Sequence, residues 1–210
     1  MKRKRNPYSR ADARTRSARA AGYPARSIYK LREIDRRCSL FARGQRVLDL
    51  GAAPGSWALY VSQRVGQEGR VVAVDRAPID RELGGNVSVV AADALGLELL
   101  GLEDSPLRRH LPYDVVLSDM APRTTGSKIS DQTRSFELFM RAVEISLDAG
   151  KDGAAFVGKI FMGPDFPQAK EAVQRGYERC RTIKPSGTRP NSSEVYLVGQ
   201  GKRRGPSAGD

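Results

Sequence analysis

Apolar residues recur along this chain in two rhythms, and their alternation outlines the architecture. From Arg26 onward, Ile28, Leu31, Ile34 and Cys38 fall on one face at about 100° per residue, which predicts an amphipathic helix with Lys30 at the margin of its apolar stripe. Short, mostly β-branched runs then read as buried strands: Arg46 to Leu50, Val71 to Val74, Val87 to Ala91 and Tyr113 to Ser118, with a helix from about Ser56 to Val65 between the first two. A longer helix is predicted over Asp131 to Leu147. Its core face carries Phe136, Phe139, Met140, Val143 and Leu147 at spacings of three and four, and Gly150 suits its C-terminal turn.

A strand at Ala154 to Ile160, a helix near Phe166 to Arg175, a strand around Arg179 to Lys184 and a strand at Glu194 to Val198 complete the pattern. Alternation of this kind predicts an α/β domain with a mostly parallel, doubly wound sheet and helices on both faces. Residues 1–24 are polar, rich in Arg, Ala and Ser, and carry no sustained apolar stripe, so they are expected to form a flexible basic arm that orders on a partner. Residues 25–200 are then one catalytic domain and 201–210 a short basic tail, a division that suits a chain of 210 residues.

Charge sharpens this division. The formal net charge is +12, yet residues 1–37 hold thirteen Lys and Arg against three acids, and the tail from Lys202 adds a further +2. The body between is close to neutral. A neutral body with one strongly basic end, in which Tyr8 and Tyr23 interrupt the cations, is the electrostatic footprint of a polyanion binder; a solubilising extension is the plainer alternative. No stretch approaches the roughly 20 apolar residues of a membrane span, and no apolar run follows the basic start as a secretion signal requires. Cys38, Cys180 and the single His110 supply neither a disulfide framework nor a four-ligand zinc site, so no metal is expected, and a reducing cytoplasm fits best.

The candidate chemistry begins at VLDLGAAPGSWALYV, a strand, a glycine-containing turn and a helix, the arrangement that sets a ligand against backbone at the carboxyl edge of a sheet. Gly51 and Gly55 permit close backbone approach, but Gly51-Ala-Ala-Pro-Gly55 is not G-x-G-x-x-G, and Pro54 disfavours a pyrophosphate site. Asp75 ends the next strand 24 residues after Gly51, where a carboxylate can accept both hydroxyls of an adenosine ribose, and Asp93 ends the third strand, placed to bind an adenine amino group. Taken singly, each aspartate is equally a turn former or a helix cap.

RSIYKL with Lys30, DLGAAPGSW, VVAVD, VLSDMAP with Asp119, VGKIF with Lys159 and SSEVYLV with Glu194 together make the chain, from about Arg26 to Gly199, resemble the FtsJ/RrmJ-type ribosomal RNA 2'-O-ribose methyltransferases. The resemblance implies a Rossmann-like fold of seven strands, one of them antiparallel, and S-adenosylmethionine as cofactor. It implies a catalytic tetrad of Lys30, Asp119, Lys159 and Glu194, in which Lys159 is the general base, Asp119 orients it, and Lys30 and Glu194 position the ribose. It further implies that Gly55, Trp57, Asp75, Asp93 and Asp119 contact the cofactor, with Trp57 near its methionyl part. In such a sheet Asp119 and Lys159 end parallel strands and Glu194 begins the reversed one, so the three meet at one edge.

By the same resemblance, the substrate is a uridine of large-subunit ribosomal RNA and the partner is that RNA or the large ribosomal subunit, with the protein acting as a monomer in the cytoplasm. The family often carries an arginine-rich stretch before the glutamate, whereas this chain reads GTRPNSSEVYL, with Arg189 and Pro190, so the basic arm is expected to supply more of the RNA contact. Two rival readings remain: a 2'-O-methyltransferase of transfer RNA or an mRNA cap, and an RNA-binding ribosome-assembly factor without catalysis. A nicotinamide oxidoreductase is a more distant one.

Overall fold

The computed structural model describes residues 13–97, 104–186, 188 and 192–204. In chain order these form α1 (Ala13–Ala20), α2 (Ile28–Cys38), β1 (Arg46–Leu50), α3 (Ser56–Val65), β2 (Arg70–Asp75), β3 (Val87–Ala91), a 3-10 turn at Ala94–Gly96, α4 (Pro106–Arg109), β4 (Tyr113–Ser118), α5 (Lys128–Ala149), β5 (Gly150–Phe161), α6 (Phe166–Gly176), β6 (Tyr177–Ile183) and β7 (Glu194–Lys202).

The seven strands form one sheet in the order β3-β2-β1-β4-β5-β7-β6. The strand neighbours from β3 to β5 are parallel, whereas β7 runs antiparallel to both β5 and β6. The expected seven-stranded architecture with one reversed strand is therefore present.

Alternation along each strand sends side chains to two separate cores. Leu48, Leu50, Val72 and Val74 face a cluster with Phe139 and Val143 of α5 and Val173 of α6. Val47, Val71, Ala73, Val115 and Leu117 face the other cluster, with Leu31 and Ile34 of α2 and Trp57 and Val61 of α3. Each such side chain, fully withdrawn from water, contributes about 1.5–3 kcal/mol. On the first face Phe156 is packed between Phe139, at 5.7 Å between ring centroids, and Tyr177, at 6.1 Å.

Three features depart from the sequence-based expectations. Ala13–Ala20, assigned above to a flexible arm, is a helix. Only Ala18 of it is buried, and it docks through polar contacts: the Tyr29 hydroxyl donates to Ser17 Oγ at 3.0 Å and Arg14 to the Ser186 carbonyl at 2.8 Å. A helix held this way needs no apolar stripe, which is why periodicity misses it. Residues 1–12, with Tyr8, and 205–210 of the tail lie outside the described residues, as do Arg189 and Pro190.

Gly150 does not close α5 in a left-handed turn. Its φ is −79°, and β5 starts directly there, with a register shift between Tyr113 and Val115 on the neighbouring strand. Glycine is needed for closeness instead, since a Cβ would lie 2.6 Å from the Ser146 carbonyl oxygen. The short α4 and the 3-10 turn were also not anticipated. Among the described residues, no helix is long and apolar enough to cross a membrane, and both cysteines are free.

Candidate active site

At the carboxyl edge, β1 runs into the Gly51 turn. The Gly51 and Ala52 amides donate to the Val74 carbonyl at 2.9 and 3.1 Å, tying the turn to β2. Gly51 has a φ of +75°, and a Cβ there would lie 2.9 Å from Met120 N and 2.8 Å from its Cγ, so the position excludes any side chain. Asp75, at the end of β2, accepts from the Ala53 amide at 2.9 Å through Oδ2 and from the Ala77 amide at 2.8 Å through Oδ1. Asp93 accepts from the Leu95 amide at 3.1 Å and pairs with Arg76 at 3.2 Å, so it caps the 3-10 turn as well as facing the cleft.

These residues line a pocket of about 540 Å³ whose wall includes Gly51, Asp75, Asp93, Asp119 and Met120. Such a volume suits a nucleoside-sized ligand. A glycine floor that admits backbone contact, with carboxylates at successive strand ends, fits S-adenosylmethionine. Gly55 and Trp57 are not on this wall. Gly55 caps α3 in a left-handed conformation, with Leu83 and Ile79 filling the space beside it. Trp57 is 2% exposed, donates through Nε1 to the Ser27 carbonyl at 3.1 Å and packs on Tyr196 at 5.8 Å. It is a core anchor behind the site.

Next to the pocket the structure assembles Lys30, Asp119, Lys159 and Glu194. Asp119 directly follows β4, whose Ser118 is paired with Gly158 of β5, and this places the carboxylate beside Lys159. Lys159 Nζ lies 3.0 Å from Asp119 Oδ1 and also donates to the Asp119 carbonyl. Lys30 Nζ lies 2.6 Å from Glu194 Oε1, which has no aligned hydrogen-bond donor, so this contact is a charge pairing. All four side chains are largely buried.

One participant escaped the sequence reading. Tyr196 lies directly across from Lys159 on the antiparallel strand, and its hydroxyl donates to Asp119 Oδ1 at 2.8 Å. Burial, then the negative charges of Asp119 and Glu194, push its pKa well above the ordinary tyrosine value, so it stays a neutral donor joining the two ion pairs. The signal was available: Glu194 and Tyr196 are two apart on one strand and so share a face.

Asp49 was likewise unread. It is fully buried on β1, and no aligned hydrogen-bond donor reaches either carboxylate oxygen. Burial, followed by the nearby Asp119 and Asp75 charges, raises its pKa to about 8; only the Ala58 amide acts in the opposite direction. Its carboxyl is therefore protonated at neutral pH. Among the described residues no cluster of His, Cys, Asp and Glu could hold a metal ion.

The family model for FtsJ-like methyltransferases matches residues 23–202. The chain belongs to that family. It is 55% identical over 195 residues to the ribosomal RNA large subunit methyltransferase E of Sorangium cellulosum, spanning 93% of this chain and 90% of that one. The protein of the same name from Nitratidesulfovibrio vulgaris strain Miyazaki F is 46% identical over 186 residues, 89% of this chain and 92% of its own length. Among solved structures, a Plasmodium falciparum protein described as a ribosomal RNA methyltransferase superposes with a TM-score of 0.75 at 24% identity, over 86% of this chain and 98% of that one. Aeropyrum pernix fibrillarin with natively bound S-adenosyl-L-methionine superposes with a TM-score of 0.53 at 17% identity, over 75% and 67%. These two establish the fold, and the family makes the chain an S-adenosylmethionine-dependent methyltransferase.

Proposed function

We propose that the chain methylates a ribose 2'-hydroxyl, that of a uridine in large-subunit ribosomal RNA, acting as a cytoplasmic monomer during ribosome maturation. The observation that carries this reading is the double role of Asp119. It lines the nucleoside pocket and also holds Lys159, with Lys30 and Glu194 paired alongside. A lysine held by a carboxylate that is itself part of the pocket wall supports proton transfer next to the bound donor. The ribosomal RNA methyltransferases that the chain resembles support the RNA class.

Bound S-adenosylmethionine supplies an electrophilic methyl group and leaves as S-adenosylhomocysteine. Gly51, Asp75, Asp93 and Asp119 would hold it. Lys159 Nζ would accept the proton of the 2'-hydroxyl as its oxygen gains the methyl. Asp119 and Tyr196 fix the position of Nζ, and Lys30 with Glu194 orients the ribose.

Labelled S-adenosylmethionine offered to large ribosomal subunits and to transfer RNA, both from cells lacking the protein, tests the reading. Subunit labelling that disappears in Lys159→Ala is the expected result. Labelling of transfer RNA alone moves the substrate, and labelling of neither leaves an RNA-binding assembly factor.

A further inference from the structure

A second concavity lies outside the pocket just described. It is a groove of about 810 Å³ between α1, α2 and α3, bordered by Ser186 ahead of β7. Four arginines line it: Arg14 from α1, Arg32 and Arg36 from α2, and Arg64 from α3. Tyr29, Arg32, Glu33 and Arg36 recur at spacings of three and four, so one face of α2 is its floor. Two carboxylates also line it, and both are already engaged. Glu33 pairs with Arg37 at 2.6 Å and accepts from Ser186, while Asp35 pairs with Arg64 at 3.2 Å and accepts from the Tyr60 hydroxyl and the Leu40 amide.

The net field is therefore positive, and Arg32 and Arg36 are exposed. Their guanidinium groups suit phosphate oxygens, which they bind in a bidentate fork. Tyr29 and Tyr60 also line the groove, and both hydroxyls are already bonded, to Ser17 and to Asp35. What each offers a ligand is ring surface. Cations that track a backbone with aromatic rings between them are the recurring composition of sites for single-stranded nucleic acid. The helix that forms the floor also carries Lys30, the residue after Tyr29, which pairs with Glu194.

We propose that this groove binds single-stranded RNA flanking the methylated nucleotide, with Arg14, Arg32, Arg36 and Arg64 on its phosphates and Tyr29 and Tyr60 against its bases. The proposal rests on the RNA substrate inferred above and adds a docking site away from the reacting atoms. It predicts that substrate affinity and chemistry are separable.

The test compares Arg32→Glu/Arg36→Glu with wild type and with the control Arg175→Glu/Arg203→Glu, which changes the same charge outside the groove. Binding of a fluorescent single-stranded RNA is measured across a salt series, and methyl transfer to large subunits is measured alongside. The groove variant is expected to lose at least tenfold in RNA affinity, with a log-log salt slope shallower by about 1.4 if two phosphate contacts go, since each is worth about 0.7 on a single strand. KM for subunits rises while kcat and cofactor affinity hold, and the control changes little. Arg32→Lys/Arg36→Lys is expected to restore the salt slope, because the charge is kept, but only part of the affinity, because the bidentate fork is lost. RNA affinity and slope equal to wild type in the groove variant, as a groove for an acidic protein segment would give, overturn the proposal; so does an equal loss in the control. If wild type labels no subunits, the ribosomal reading fails, and the binding series still judges the groove.

Discussion

The carboxyl edge of the sheet is built in two ways on either side of β4. Toward β3, the edge is made of strand ends and backbone: Gly51 follows β1, Asp75 ends β2, Asp93 follows β3, and Asp75 is held by the Ala53 and Ala77 amides. Toward β7, the site is made of side chains that meet only in the folded state, from α2, β5, β7 and the turn after β4. The pocket side is built largely of backbone and strand ends. The reacting half depends on the packing of the whole domain. Affinity and rate should therefore respond to different substitutions.

The largest expected effect separates the halves most sharply. Lys159→Ala should lower methyl transfer by about 10²–10⁴-fold, with the calorimetric affinity for S-adenosylmethionine within about twofold of wild type. A comparable loss of affinity would erase the distinction.

Asp49 tests the seam, because it lies beneath the binding half and feels Asp119 of the other. Its folded pKa, about 8, exceeds the unfolded value of 3.8. The stability it contributes is complete below about pH 4, declines as the unfolded carboxyl ionises while the folded one keeps its proton, and is lost above about pH 8. Asp49→Asn should remove that component. Denaturation midpoints of wild type and variant should diverge in favour of the variant from pH 4 to 8, by on the order of a few kcal/mol. Parallel pH profiles would show that the carboxyl is already ionised.

Gly51→Ala strains a positive φ and drives a methyl group against Met120, at about 1–3 kcal/mol, so cofactor affinity should fall by roughly one to two orders of magnitude in a titration. Turnover at saturating cofactor should survive. The smallest effect is expected for Tyr196→Phe, which removes one donor to Asp119 and should slow transfer about tenfold without weakening cofactor binding.

The same contrast governs what the sequence made legible. β1, β3, β4 and α3 fall where hydrophobic patterning predicts them, and Gly51, Asp75 and Asp93 reach the pocket because strand ends can be read from local pattern. Lys30, Asp119, Lys159 and Glu194 were grouped through motif resemblance, and periodicity alone does not join Lys30 to Glu194. The resemblance implies Trp57 at the cofactor, whereas in the structure its ring faces Ser27 at the start of α2 and Tyr196. Tyr196 lies in a strand whose pattern gives no sign of its bond to Asp119, and α1 escapes periodicity because it docks by hydroxyl and guanidinium contacts. What stayed hidden was decided by side-chain direction and long-range polar contact.

The reversed strand β7 has a consequence for synthesis. It lies between β5 and β6, and β6 has no other neighbour in the sheet. Translation runs from the N-terminus, so a nascent chain that has emerged only as far as α6 already holds every residue of the nucleoside pocket but neither Glu194 nor Tyr196. When β6 follows, it has nothing to pair with until β7 is threaded in between it and β5. The last insertion therefore both closes the sheet and brings Glu194 to Lys30 and Tyr196 to Asp119, so a half-made chain holds the pocket before it holds the polar cluster beside it.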